Sequence, residues 1–122
     1  MLTDDGPRVL EFNARFGDPE TQVILPRLAG DLLPALIAAG SGELAGVELD
    51  AGEEAAVTIA LAAPDYPLQG DSGTPIHGIA DAEASGALVF HAGTALRDGR
   101  LATNGGRILN VTALGSDLAE AR

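Results

Sequence analysis

The residues whose types and spacing can do chemistry stand close together near the start of the sequence: Glu11, Asn13 and Arg15, at every second position of Val9–Arg15. That run interleaves Val, Leu and Phe with polar residues, and Gly6-Pro7 and Gly17-Asp18-Pro19 bound it, which is the pattern of a strand. Alternate side chains of a strand point to opposite faces, so Glu11, Asn13 and Arg15 share one face while Leu10 and Phe12 take the other. At about 3.3 Å per residue the Cα atoms of Glu11 and Asn13 stand roughly 6.6 Å apart, which lets a carboxylate and an amide oxygen converge on one cation. A hard ion such as Mg²⁺ takes oxygen ligands and usually only one or two protein groups beside substrate phosphates. The planar fork of Arg15 suits a phosphate or carboxylate held by that ion. The same alternation also describes the wet face of an ordinary half-buried strand, and spacing alone does not separate the two readings.

Asp18-Pro19 is a helix start, with Asp as N-cap, Pro at the first helical position and Glu20 in the first turn. The helix runs from Pro19 to about Leu25, because Pro26 disfavours helical geometry in the residue before it. Asp18 is therefore either a cap or a direct substrate contact. Asn104-Gly105-Gly106-Arg107 can present backbone N–H groups and a guanidinium to an anion, or it can be a tight turn that needs its glycines. His77 and His91 are the side chains that titrate nearest neutrality, so each is nominally a general base. Neither sits in a local triad or at zinc spacing, so both read as structural residues at strand edges. The glycine-rich phosphate loop and the dinucleotide fingerprint are both missing.

The elements that must position these residues are short. Asp31–Ala39 carries Leu32, Leu33, Leu36 and Ile37 at one-turn spacing and ends at Gly40-Ser41-Gly42, so it reads as a second helix buried in the core. Gly42–Glu54 is acidic and glycine-bearing, which places a boundary near residue 50 and divides the chain into 1–50 and 51–122. Ala55–Ala62 is a strand, Ala63–Pro75 a loop rich in proline, and Leu88–Ala92 and Arg107–Ala113 further strands. Arg97-Asp98-Gly99-Arg100 is a hairpin turn, since Asp-Gly favours positive backbone dihedrals. Met1–Asp5 is short, polar and expected to fray, and Ser116–Arg122 starts a helix that is cut short.

A net charge of −11 argues against binding a nucleic-acid backbone or an anionic membrane, since both need a basic surface. There is no Lys, and the bases are Arg8, Arg15, Arg27, Arg97, Arg100, Arg107 and Arg122. The absence of Cys excludes disulfides and thiolate metal sites. No charged start leads into an apolar stretch and no long apolar run follows, so the expected location is the cytoplasm.

Glu11-Phe12-Asn13-Ala14-Arg15-Phe16-Gly17-Asp18-Pro19-Glu20-Thr21-Gln22 resembles the signature of the phosphoribosylamine-glycine ligases (glycinamide ribonucleotide synthetases), ATP-grasp enzymes of purine biosynthesis. The resemblance continues through Ile76-His77-Gly78, Phe90-His91-Ala92-Gly93-Thr94 and Thr103-Asn104-Gly105-Gly106-Arg107. It covers nearly the whole chain but only the C-terminal portion of those enzymes. It implies an α/β, more narrowly α+β, fold: the end of an ATP-grasp sheet in residues 1–50, then a small domain of mainly antiparallel strands with short helices in residues 51–122. It implies a ligase that uses ATP and Mg²⁺, or Mn²⁺, to join glycine to 5-phosphoribosylamine through a glycyl phosphate, giving glycinamide ribonucleotide, ADP and phosphate. Glu11 and Asn13 would hold the metal, Arg15 would act catalytically and bind substrate, and Asp18 and Arg107 would bind substrate. ATP-grasp enzymes hold nucleotide phosphates with lysines, so those groups are expected in N-terminal domains outside this chain, and the fragment alone is expected to be inactive. The alternative is a non-catalytic binding or interaction module derived from the ligase tail.

Overall fold

Arg100–Gly115 runs almost without interruption as extended chain, and the two sheets of the molecule are built on its two halves. The computed structural model describes residues 1–122. In chain order the elements are β1 (Leu2–Thr3), β2 (Gly6–Pro7), α1 (Thr21–Ile24), a 3-10 turn at Leu25–Arg27, α2 (Leu33–Ser41), β3 (Ala55–Ala62), β4 (Asp71–Pro75), α3 (Ile79–Ala84), β5 (Leu88–His91), β6 (Thr94–Arg97), β7 (Arg100–Gly105) and β8 (Arg107–Gly115). β7 is the middle strand of an antiparallel sheet β4-β7-β6, and β8 is the middle strand of an antiparallel sheet β3-β8-β5. This is the expected α+β fold of antiparallel strands and short helices.

The core follows β8 and is made of small and β-branched side chains, as a chain with 3% aromatic residues requires. Ala63, Ala102, Ile108 and Leu109 are buried, and so are Thr103, Asn110 and Thr112. Thr112 meets its need for a partner by donating to Thr58 Oγ1 at 2.8 Å across the β3–β8 ladder. At the crossing between the sheets the chain has no room for a side chain. A Cβ on Gly93 would lie 2.6 Å from the Arg107 carbonyl oxygen and 2.8 Å from Gly105 Cα.

Several expectations hold. Ala55–Ala62 is a strand, Leu88–His91 and Arg107–Gly115 are strands, and Asp98 and Gly99 make the hairpin turn with φ 51° and 74°. The second helix forms at Leu33–Ser41, two residues later than read, with Asp31 Oδ1 accepting from Leu33 N at 2.9 Å and Gly42 ending it at φ 77°. No helix is long and apolar enough to cross a membrane.

Other expectations are corrected. Val9–Arg15 is not a strand: Val9–Phe16 makes no backbone hydrogen bond, and Val9, Leu10 and Phe12 are exposed. Alternation in sequence marks two faces but does not supply the neighbouring strand that a ladder needs. The second helix is not core either, because Leu33, Leu36 and Ile37 are exposed and only Ala35 is buried. Its apolar stripe has no facing layer among these 122 residues. The first helix is a single turn at Thr21–Ile24 followed by a 3-10 turn, and its end makes no side-chain cap.

The supposed loop contains β4, held to β7 by Thr74 N donating to Thr103 Oγ1 at 3.0 Å, and α3 was not foreseen. Asn104–Arg107 is not a tight turn within one sheet. Gly105 ends β7, Arg107 begins β8, and Gly106 is the bend between sheets. The final segment is one helical turn, with Asp117 Oδ1 accepting from Ala119 N and Glu120 N and Glu120 reaching back to Ser116.

Gly93→Ala forces the sheet crossing apart and should cost about 1–3 kcal/mol, as overpacking does elsewhere. Gly40→Ala meets nothing within 4 Å inside α2 and should stabilise by about 0.5–1 kcal/mol. Urea unfolding of both variants checks the opposite signs. The hydroxyls of Thr74 and Thr103 hold the Asp71 carboxyl below its ordinary value of 3.8, and Ser116 does the same for Glu120, ordinarily 4.5. A group whose folded pKa is lowered binds its proton more tightly unfolded, so its contribution is present above the ordinary value and is lost as pH falls through the folded one. Asp71→Asn should accordingly lessen the loss of stability on acidification below about pH 4, measured as melting temperature against pH.

Candidate functional site

Asp18 is the point where the signature segment meets the sheets. It precedes the short α1 turn, whose Thr21 hydroxyl and backbone N–H both donate to the Gly17 carbonyl and fix the entry of the chain. The Asp18 carbonyl accepts from Arg107 Nη1 at 2.7 Å, and its Oδ2 lies 3.3 Å from Arg107 Nη2. Its Oδ1 accepts from Gln22 Nε2 at 3.0 Å and from Asn110 Nδ2 at 3.3 Å. Four contacts from three side chains thus converge on one residue, and two of those side chains, Arg107 and Asn110, stand on β8.

This arrangement corrects the reading of Asp18 as a helix cap. Its carboxylate is turned toward β8, where a guanidinium and a buried amide offer charge-assisted hydrogen bonds that an N-terminal turn of four residues does not match. The structure joins the two expected substrate contacts, Asp18 and Arg107, directly to each other. The ion pair is partly wet, with side-chain exposures of 40% and 35%, so screening keeps its own worth below about 1 kcal/mol.

Asn110 and Gln22 were missed in the sequence. Asn110 is fully buried, and its Oδ1 and Gln22 Oε1 have no partner. The available signals were a lone amide inside the apolar run Ile108–Val111, and Gln22 lying one helical turn beyond Asp18.

The other candidates lie outside this network. Glu11, Asn13 and Arg15 are exposed on the irregular segment, Glu11 and Asn13 make no side-chain hydrogen bond, and Arg15 Nη1 donates only to the neighbouring Phe16 carbonyl at 2.9 Å. His91 Nδ1 lies 3.0 Å from Thr94 Oγ1, a contact that ties β5 to β6. His77 borders a small apolar cavity of about 150 Å³ between α3 and the β3-β8-β5 sheet. No group of three or more His, Cys, Asp or Glu side chains gathers at one point.

The Asp18 cluster predicts a split between two substitutions. Asp18→Ala strands the buried Asn110 amide and should cost about 1–3 kcal/mol. Asp18→Asn keeps a carbonyl oxygen for Asn110 and Gln22, loses only the ion pair, and should cost less than about 1 kcal/mol. Equal losses for the two variants in urea unfolding would contradict the cluster.

Comparison with known proteins gives one answer at every level. The family model for Phosphoribosylglycinamide synthetase, C domain, matches residues 56–122. The chain is 48% identical over 122 residues to the phosphoribosylamine–glycine ligase of Mesorhizobium japonicum and 51% identical over 125 residues to that of Caulobacter vibrioides, in each case with all of this chain and 29% of the relative covered. It is 50% identical over 122 residues to the trifunctional purine biosynthetic protein adenosine-3 of Gallus gallus, covering 99% of this chain and 12% of that protein. The crystal structure of the Thermotoga maritima phosphoribosylamine–glycine ligase superposes with a TM-score of 0.72 at 35% identity, covering 99% of this chain and 29% of that one. The chain thus spans about three-tenths of the length of the curated ligases it matches. With the family model covering more than half of the residues, and the fold shared with a solved relative, the chain belongs to the phosphoribosylglycinamide synthetase C-domain family.

Proposed function

We propose that this chain is the C-terminal part of a cytoplasmic phosphoribosylamine–glycine ligase of the ATP-grasp type, acting in purine biosynthesis. The observation that carries the reading is identity near 50% along the entire chain to proteins of that name, the signature segment included. In the reaction, ATP converts the glycine carboxylate to an acyl phosphate, and the amine of 5-phosphoribosylamine attacks it to give glycinamide ribonucleotide, ADP and phosphate.

Glu11 and Asn13 fit a hard divalent cation such as Mg²⁺ or Mn²⁺ by their chemistry. Both are oxygen donors, both are exposed, and neither side chain is engaged in a hydrogen bond or ion pair. The absence of a larger carboxylate cluster agrees with a metal that takes one or two protein oxygens and fills its shell with phosphates and water. When bound, such an ion neutralises charge on the phosphates of the nucleotide. Arg15, whose guanidinium has four N–H donors beyond its bond to Phe16, orients the glycine carboxylate or acyl phosphate. Arg107, fixed by Asp18, presents its remaining donors to substrate from β8, and Asp18 fixes the distance between the signature segment and the sheets.

Catalysis needs nucleotide and both substrates held in register in a closed cleft, and this chain supplies one wall of it. The isolated chain, given ATP, Mg²⁺, glycine and 5-phosphoribosylamine, should form no glycinamide ribonucleotide, and detectable product would overturn the division of labour proposed here. In the complete enzyme Glu11→Gln should lower turnover at least ~100-fold, about 2.7 kcal/mol of transition-state stabilisation, without a large change in melting temperature. Part of that loss should return as Mg²⁺ is raised, because mass action offsets weaker binding. Wild-type turnover at limiting Mg²⁺ would remove Glu11 from the metal site.

A further inference from the structure

A second concave surface lies on the β4-β7-β6 sheet, a site built from none of the residues assigned to the ligase reaction. It is a cavity of about 390 Å³ lined by Gly73, Pro75, Arg97, Asp98, Arg100 and Ala102, with Leu101 beside them. That volume falls in the range of small-molecule sites. Register explains its composition. Arg97 pairs with Arg100 and Pro75 with Ala102, and residues directly opposite in a ladder share a face, as do residues two apart on one strand. Arg97, Arg100, Ala102 and Pro75 therefore all stand on one side of the sheet. Ala102 and Gly73 give that side a low floor, since a Cβ added at Gly73 would meet nothing within 4 Å.

The two arginines are an anomaly in a chain of net charge −11. Like charges directly opposite across a ladder destabilise the pair, yet Arg97 and Arg100 flank the two-residue turn Asp98-Gly99. Neither lies within 4.0 Å of any carboxylate, for the ion pair in the structure is Arg107 with Asp18. Arg97 is nevertheless held in place, its Nη2 donating to Ser72 Oγ at 2.9 Å and to Asn104 Oδ1 at 3.2 Å. Those bonds occupy one nitrogen of the guanidinium and leave Nε and Nη1 as donors. Arg100 makes no side-chain hydrogen bond and adds a full set. A preorganised guanidinium and a free one beside a floor of small residues form a receptor for a dianionic oxyanion, because each fork takes two oxygens. Asp98 lies at the same rim and lowers the local charge, which sets the affinity low.

We propose that the face between Arg97 and Arg100 binds a phosphomonoester dianion, distinct from any phosphate handled by Glu11, Asn13 and Arg15. A carboxylate shares the fork geometry but carries half the charge, so the experiment separates the two. The ¹⁵N-labelled 122-residue chain is titrated with inorganic phosphate and, separately, with acetate, at constant ionic strength set by chloride, while amide and Arg Nε shifts are followed. Saturable shifts at Gly73, Ala102 and the Arg97 Nε with phosphate, and weak non-saturating ones with acetate, are the expected result. The double variant R97Q/R100Q should weaken phosphate binding at least about tenfold, and Asp98→Asn should tighten it about twofold to threefold, as removal of screened charges near a surface predicts. Asn also tolerates the positive φ of that position, so the Asp98→Asn arm does not depend on a damaged fold. Shifts at these residues that do not saturate, that chloride reproduces, or that survive in R97Q/R100Q would overturn the proposal, and saturable binding of acetate as tight as phosphate would overturn the assignment of a phosphomonoester.

Discussion

One continuous run of chain, Arg100–Gly115, is the middle strand of both sheets, and most of the structure depends on its passage between them at Gly105-Gly106. A middle strand pairs on both edges, so Ala102 in β7 and Leu109, Asn110, Val111 and Thr112 in β8 each fix two neighbours at once. The buried residues gather along it for the same reason: Ala102, Thr103, Ile108, Leu109, Asn110 and Thr112 all belong to β7 or β8. The crossing works only because Gly93 and Gly105 bring backbones into contact that any side chain would hold apart.

The site is attached to that run at a single place. Arg107 is the first residue of β8 and Asn110 the fourth, and both reach Asp18, which stands 89 and 92 residues away in sequence. Arg107 binds the Asp18 main chain as well as its carboxylate, so it positions the backbone of the signature and not only one side chain. Upstream of that clamp, Val9–Phe16 has no ladder, and α2 shows its apolar stripe to solvent. Both features are those of segments with no covering layer within this chain, which spans 29% of the first curated ligase it matches. The chemistry proposed for Glu11, Asn13 and Arg15 needs a surface that orders them, since the segment makes no ladder of its own.

Much of the C-terminal half was legible because its signals are local. Alternating β-branched residues marked Ala55–Ala62 and Arg107–Ala113, and Asp98-Gly99 marked the hairpin. β4 was hidden by proline and glycine in Asp71–Pro75, and it forms because Asp71 and Thr74 bond to Thr103 on β7, a partner about 30 positions on that no local pattern reveals. The N-terminal half misled for the opposite reason. Val9–Arg15 and Leu32–Ile37 carry strong periodicity, but periodicity states which face wants cover and not whether cover is present. For the site, residue types at alternate positions named Glu11, Asn13 and Arg15, and the helix-start and glycine-turn patterns drew attention to Asp18 and Arg107, yet only the structure shows Asp18 and Arg107 holding each other, with Gln22 and the buried Asn110 beside them.

In the proposed function the exposed oxygens of Glu11 and Asn13 complete a divalent-cation site in the complete ligase. Titration of Mn²⁺ into the complete ligase with nucleotide present, read by the electron paramagnetic resonance signal of the free ion, tests it directly. Glu11→Gln should weaken Mn²⁺ binding at least about tenfold while the melting temperature stays within a few degrees of wild type. Mn²⁺ binding unchanged by Glu11→Gln, and unchanged again by Asn13→Ala, would contradict it.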